Sequence, residues 1–327
     1  KAPAMPPNAG SSAFIEMNED GTATVNVGGQ EIGQGAFTVA AQIAAATIGL
    51  PMEDIRIAGP LDTQYSPYEW QTVASRLTWS MGNAVRFAAA DARRKILEMV
   101  AEAWDEDVDD LDIINGIVVS YRSEKEMSLK NIVVYGIPKE DDQGWIGGPV
   151  VGQGSFMPSY VTGLDPETGQ GPRAVVHYTT GAQGFDIEID KDTGKIEILK
   201  AVTAFDVGRA LNPELVKAQM EGGMMQGISS AIFEEIILEE GVMQNPSFVD
   251  YRIATTMDVP KVMETYFVEV PQDDGPFGAR GIGEHPMTPT IAALGNAIYD
   301  ATGIRLEGPP FLPEKVYLAM KDAGILD

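Results

Sequence analysis

One carboxylate, Glu284, stands in "GPFGARGIGEHP" (residues 275–286) among four glycines and two prolines. Glycine lets the main chain approach another group without a Cβ in the way. A proton-transferring side chain on such a run can therefore be held at a crowded ligand site. The alternative use of the same residues is a tight turn with a solvated acid. Two further stretches are comparably rich in glycine, "GGQEIGQG" at 28–35 and "EGGMMQG" at 221–227. Each lies next to a helical pattern, where exposed N–H groups suit phosphates and other anions. Glutamines recur beside glycines, as Gln34, Gln153 and Gln226. Their amides donate and accept, which matches the edge of a heteroaromatic ring. The other reading of these glycines is turns and helix contacts. In "VASRLTWSMGNAV", Ser75, Thr78 and Ser80 sit near a helix start, where hydroxyls cap the helix or help bind a phosphate. The spacing of a dinucleotide-binding fingerprint is absent, and no Lys-Ser/Thr follows to make a P-loop.

The elements that must position these residues read as a mixture of strands and helices. "SSAFIEMNEDGTATVNVGG" predicts two strands turning at Asp20-Gly21. Phe37, Ala40, Ala41, Ala44 and Ile48 predict one helical face, and "PMEDIRIAGP" a short strand. A long helix is expected from Trp79 to Trp104, with Val85, Ala89, Ala92, Ile96, Met99 and Ala103 as its apolar stripe. The charge run 105–112 reads as a solvated turn, and 139–173 as an irregular, glycine-rich connection. Strong alternation from 174 to 208, turning at "DKDTGK", predicts a β-hairpin or meander. A helix interrupted at Gly222-Gly223, a strand at "VMETYFVEV" and helices at 287–303 and 312–325 complete the chain. Without regular βαβ alternation the class is α+β, with two lobes expected at 1–160 and 161–327, the second carrying Glu284.

Composition limits the chemistry. The 327 residues carry a formal net charge of −25, which makes nucleic acid and acidic membranes poor partners. There is no cysteine, so disulfides, thiolate-bound zinc and iron–sulfur clusters cannot be built from this chain. The two histidines, His177 and His285, form no spaced ligand set, so a working metal would take most of its ligands from elsewhere. No apolar run approaches the roughly 20 residues of a membrane span. "KAPAMPPNAGSS" lacks an apolar core and reads as an arm rather than a signal peptide, and a cytoplasmic location is expected.

Taken together, three stretches resemble the molybdenum-binding subunit of the xanthine oxidase/aldehyde oxidoreductase family of molybdenum hydroxylases, in its C-terminal half. "GGQEIGQG" resembles GGxExGQG. "AFDVGRALNPELVKAQMEGGMMQG" resembles A-x-D-x-G-x-x-[IL]-N-P…Q-[IV]-E-G-G-x-x-Q-G. "GPFGARGIGEHPMTPTIAALGNAIYDATG" resembles GPxGxKGxGEPPxxPxxxAIxNAIxDATG, with Arg280 where lysine is common and His285 in place of the first proline. The resemblance covers nearly the whole chain and implies a two-lobed molybdopterin-binding fold of mixed sheets with helices.

The resemblance also implies roles. Gly33, Gln34 and Gly35 would form the first cofactor loop, Ala74, Ser75 and Thr78 the second, and Gln226 the third. Gly281, Ile282 and Gly283 would also bind the cofactor, leading into Glu284, the acid beside the metal and the general base. The metal itself would be held by the pterin dithiolene rather than by side chains, with a sulfido or selenido ligand. The cofactor is expected to be molybdopterin, in its cytosine dinucleotide form. Low solvent access is expected around Glu284. The length suggests one product of a split gene, an arrangement resembling that of NADP-linked nicotinate dehydrogenases. Nicotinate to 6-hydroxynicotinate is then the expected reaction, with a purine or aldehyde hydroxylase or a non-catalytic assembly subunit as alternatives. Arg280 is a candidate for a substrate carboxylate. A second molybdopterin-binding subunit, a [2Fe-2S] subunit and an FAD subunit are the expected partners, alongside a small N-heterocyclic substrate.

Overall fold

The computed structural model describes residues 9–139 and 144–326. The expected N-terminal arm falls mainly on residues 1–8, outside that range. The described residues form two units, one running to His177 and completed by Pro271–Gly281, the other made of Tyr178–Val270 and the chain from Ile282 onward.

The larger unit begins with a hairpin, β1 (Ser11–Met17) and β2 (Ala23–Val27), paired antiparallel with Ile15 opposite Val25. Asp20 makes the turn, its Oδ1 accepting from the Thr22 amide at 3.0 Å. Alternate residues Ala13, Ile15, Val25 and Val27 are fully buried, which is the pattern of a sheet with one face on a core. Helix α1 (Ala36–Ile48) follows, then β3 (Ile55–Ile57) and the 28-residue α2 (Leu77–Trp104). At 1.5 Å per residue α2 is about 42 Å long. Its stripe Val85, Ala88, Ala89, Ala92, Ile96 and Val100 is completely buried. Each large member, Ile96 for example, contributes about 1.5–3 kcal/mol by leaving water.

After α2 come β4 (Leu111–Ile114), β5 (Ile117–Ser120), β6 (Glu126–Ser128), α3 (Leu129–Tyr135), β7 (Ile137–Pro138) and β8 (Trp145–Ile146). Then β9 (Val151–Phe156) joins the first sheet in the order β3-β2-β1-β9. The 139–173 stretch is thus not wholly irregular; its residues 140–143 lie outside the described range. Its glycines have a packing role. A Cβ at Gly152 would lie 2.1 Å from the Ala88 carbonyl oxygen, and one at Gly154 2.2 Å from that of Ala84, so only glycine admits α2 this close.

The second unit is built on β10 (Gly181–Ile189) and β11 (Ile196–Asp206), antiparallel, with β14 (Val262–Val268) parallel to β11. Between them lie α4 (Pro213–Ile232) and the small hairpin β12 (Leu238–Glu239) and β13 (Val242–Met243). Helices α5 (Thr290–Thr302) and α6 (Pro313–Asp322) close the unit. Ile196, Ile198 and Ala201 of the sheet, Met224 and Ile228 of α4, Leu294 and Ile298 of α5 and Val316 of α6 form one core. Helix α4 starts at Asn212, whose Oδ1 accepts from the Leu215 amide at 3.0 Å, with Pro213 at the first helical position. It is continuous through Gly222-Gly223, where an interruption was expected. The fold is α+β with mixed sheets. Among the described residues no helix is long and apolar enough to cross a membrane.

Candidate functional site

The first glycine loop closes on its own acid. Glu31 Oε1 accepts from the amides of Gly33 and Gly35, each at 2.9 Å, and Oε2 from the amide of Phe37 at 3.0 Å. Burial pushes the Glu31 carboxyl up, but these N–H donors outweigh it and hold it below the ordinary value. The amides at the start of α1, expected to face an external anion, are therefore occupied by a side chain four to six residues upstream. Gln34 braces the same loop: its Oε1 accepts from the Ile32 amide at 2.7 Å and its Nε2 donates to Gln30 O at 2.9 Å. Gly33, at φ 98°, faces open space.

The second loop is anchored to the first and to β1. Thr72 Oγ1 accepts from the Gln30 amide at 2.8 Å. Ala74 and Ser75 both take left-handed φ, 54° and 57°, which is strained for residues with a Cβ. The residue after them, Arg76, is fully buried. It pairs with Glu69 and donates to the carbonyls of Gln71 at 2.8 Å and Ala9 at 3.2 Å. Burial pushes the Glu69 carboxyl up against the opposing pull of Arg76. No motif in the sequence marks this pair. Helix α2 begins at Arg76 without a side-chain cap, and Ser80 donates to Arg76 O at 3.0 Å within the helix. Ser80 thus bonds within the first turns of the helix rather than at its start. Thr78 lies half-buried in its first turn.

The run leading to Glu284 is fixed in the larger unit by Asp274. Its carboxylate accepts from Tyr160 Oη, from Gln272 Nε2 at 2.6 Å and from Trp79 Nε1 at 3.1 Å, and its carbonyl accepts from Asn83 Nδ2 at 2.7 Å. Burial raises the Asp274 carboxyl, and the three donors more than reverse this, leaving it below the ordinary value. Burial and Asp274 together push the Tyr160 phenol well up. Arg280 Nε donates to Gln272 Oε1 at 3.1 Å, so the candidate substrate arginine is tied into this network. At the end of the run, a Cβ on Gly281 would stand 1.7 Å from the Ser75 carbonyl oxygen. The structure thus brings Gly33, Gln34, Gly35, Ala74, Ser75, Thr78 and Gly281 into one anchored set of loops and helix start.

In the second unit, "EGGMMQG" lies inside α4, so it offers no helix N-terminus to an anion. Two of its glycines are packing contacts: a Cβ at Gly223 would meet the Gly283 carbonyl oxygen at 3.2 Å and Pro286 at 3.3 Å, and one at Gly227 would meet Thr290 at 2.4 Å. Gln226 is exposed on the same helix. Gln183 Nε2 donates to Pro286 O at 2.7 Å, and Thr290 Oγ1 donates to Gln183 Oε1 at 2.7 Å. Sequence reasoning missed these two residues; "GAQG" and the threonine opening α5 were their only signals. His285 and Pro286 are buried, while Glu284 is exposed, so the residues of this chain do not supply the low solvent access expected of it.

The donors present fit part of a molybdopterin. Gln34 keeps one N–H and one lone pair beyond its loop bonds, beside the open face of Gly33, and that suits a heterocyclic ring edge. A phosphate on the amides held by Glu31 does not fit. Residues 2–260 match the model of the molybdopterin cofactor-binding domain. The chain belongs to that family, the molybdopterin-binding part of the xanthine oxidase/aldehyde oxidoreductase group. It is 32% identical over 320 residues to a putative xanthine dehydrogenase molybdenum-binding subunit of Escherichia coli K12, covering 97% of this chain and 40% of the relative. To the nicotine 6-hydroxylase large subunit of Paenarthrobacter nicotinovorans it is 30% identical over 323 residues, covering 97% and 37%. The structure of quinoline 2-oxidoreductase from Pseudomonas putida 86 superposes with a TM-score of 0.80 at 25% identity, covering 96% and 38%. That of a Cu,Mo-CO dehydrogenase gives 0.81, also at 25% identity, with the same coverage. The chain spans about two fifths of the length of these relatives.

Proposed function

We propose that this chain is the molybdopterin-binding subunit of a multi-subunit hydroxylase that inserts a water-derived oxygen into an N-heterocycle, with nicotinate as the leading substrate and 6-hydroxynicotinate as product. Support for a heterocycle comes from the relatives named for nicotine and quinoline. A purine is the second reading, favoured by the xanthine dehydrogenase subunit. What carries the proposal is the seating of the 275–284 run: Gly281 lies against Ser75, and Gly283 against Gly223, so a lone carboxylate follows a main chain with little freedom to move.

When bound, the molybdopterin would supply the activated oxygen and would accept the hydrogen that leaves the ring carbon together with its two electrons. In this proposal Gly33, Gln34, Gly35, Ala74, Ser75, Thr78, Gln226, Gly281, Ile282 and Gly283 are the residues of this chain that would contact the cofactor. A Glu284 carboxylate oxygen takes the proton released as the water-derived oxygen bonds to an electron-poor ring carbon. Arg280, steadied by Gln272, receives the substrate's carboxylate. The cytosine dinucleotide form, the sulfido or selenido ligand, an NADP-linked acceptor, the [2Fe-2S] and FAD partners and a cytoplasmic location belong to the same proposal. The test is to purify the native complex, measure molybdenum per chain, and offer nicotinate, xanthine and an aldehyde in turn. Molybdenum with reduction by nicotinate supports the first reading. Reduction by xanthine alone selects the second, and a complex without molybdenum removes both.

A further inference from the structure

We propose that the larger unit carries a second small-molecule site, a cleft beside α1 and α2 that binds a monoanionic aromatic carboxylate through Arg86. The cleft is open to solvent, has a volume of about 700 Å³ and is lined in part by Arg86, Phe87, Ala90, Arg93, Asp112 and Phe277. That volume lies within the range of small-molecule sites, which are mostly apolar with a few placed polar groups. Arg93 is already committed: it pairs with Asp112 and donates to Ile48 O at 2.9 Å.

Arg86 is different. Its Nε is buried without a hydrogen-bond partner, and among the described residues the guanidinium makes no ion pair. Its aromatic neighbour is the Phe87 ring, 5.1 Å from Cζ to centroid. The chain has 48 acidic side chains for 23 basic ones, so an arginine left without an acid in a formed cleft is not explained by a shortage of partners. A part-buried cation without a counter-charge is costly, and an incoming anion removes that cost.

The surroundings select the anion. A guanidinium fork matches the two oxygens of a carboxylate. With Asp112 paired to Arg93, the cleft is left with one uncompensated cation, which matches a monoanion better than a dianion such as phosphate. Phe87 and Phe277, 39% and 40% exposed, line the same cleft and offer aromatic surface to a planar carbon body. Phe277 holds its ring there from a left-handed backbone, φ 53°, that a residue with a side chain rarely adopts.

Benzoate, with benzamide as its neutral counterpart and inorganic phosphate as the dianion, is titrated into the purified complex by calorimetry. Saturable benzoate binding is expected, with benzamide and phosphate each weaker by roughly tenfold or more. Arg86→Gln should weaken benzoate by roughly ten- to a hundredfold, and Arg86→Lys should retain part of the affinity. Arg280→Gln should leave benzoate binding at this cleft unchanged, which separates it from the substrate site proposed above. The proposal is overturned if benzoate does not bind, if benzamide binds equally, or if Arg280→Gln abolishes binding that Arg86→Gln leaves intact.

Discussion

Replacing Gly281 by alanine is the sharpest test of how the Glu284 run is seated. The new Cβ would stand 1.7 Å from the Ser75 carbonyl oxygen, against an ordinary contact of about 3.3 Å, so one backbone must yield by about 1.6 Å. Neither side yields easily. Ser75 is held between the Thr72–Gln30 bond and buried Arg76, and the 271–281 segment by four donors on Asp274. Overpacking of rigid neighbours costs about 1–3 kcal/mol, and this contact belongs at the top of that range. At about 2.1 cal/mol/K per residue, 3 kcal/mol lowers Tm by about 4 °C if the whole chain unfolds together and about 8 °C if the larger unit unfolds alone. A displacement above about 1 Å next to the proposed base should also cut the substrate-reduction rate by about a hundredfold. Gly222→Ala is the control. It sits on the exposed side of α4 with nothing within 4 Å of a new Cβ, and should gain about 0.5–1 kcal/mol from helix propensity. Calorimetry on both variants reads opposite signs. Equal melting temperatures for Gly281→Ala and the parent would refute the close seating.

Three further outcomes follow from the same contacts. Glu31→Ala removes the acceptor for three amides at the start of α1 and should cost about 1–2 kcal/mol in urea unfolding; a change below about 0.3 kcal/mol would contradict the loop geometry. Arg76→Met leaves Glu69 buried without its cation and should cost about 3–5 kcal/mol, part of it recovered by adding Glu69→Leu; an additive double variant would exclude the coupling. Asp91 is held at about 2 by Lys95, then Arg94 and the Gln153 amide, which outweigh its slight burial, so its contribution is present above the ordinary carboxylate value of 3.8 and lost as pH falls toward 2. Asp91→Asn should flatten that acid limb by about 1 kcal/mol or less, because its partners Arg94 and Lys95 are 55% and 38% exposed and solvent screens the pairs; an unchanged limb would exclude the role.

Legibility followed the length of the pattern. The 28-residue α2 and the β10–β11 hairpin carry long apolar periods that few alternative folds satisfy. Strand β9 was hidden because Gly152 and Gly154 have no side chains to mark its period, although they are what α2 requires. The same ambiguity misled at α4. Gly222-Gly223 looks like a break from propensity alone, yet Gly223 is packed against Gly283 and the helix runs through. Gln34, Glu284 and the loop glycines were prominent because three motifs flagged them. Glu69, Arg76 and Asp274 were not, since their roles depend on the folded arrangement rather than on a local motif; Trp79 and Asp274 are 195 residues apart. Glu31 could have been read, being an acid just ahead of a helix start.

The central claim is that Glu284 is the proton acceptor, and Glu284→Gln tests it most directly. Glutamine keeps the size and hydrogen bonding but cannot take the proton. The measurement is the single-turnover rate of reduction by nicotinate, normalised to molybdenum bound in the purified complex. The account predicts unchanged molybdenum content, because the close approaches at Gly281 and Gly283 are made by main chain and not by the Glu284 side chain. It also predicts a rate lower by about 10²–10⁴, or roughly 3–5 kcal/mol of barrier. A variant that keeps its molybdenum and is reduced at the parent rate would contradict it.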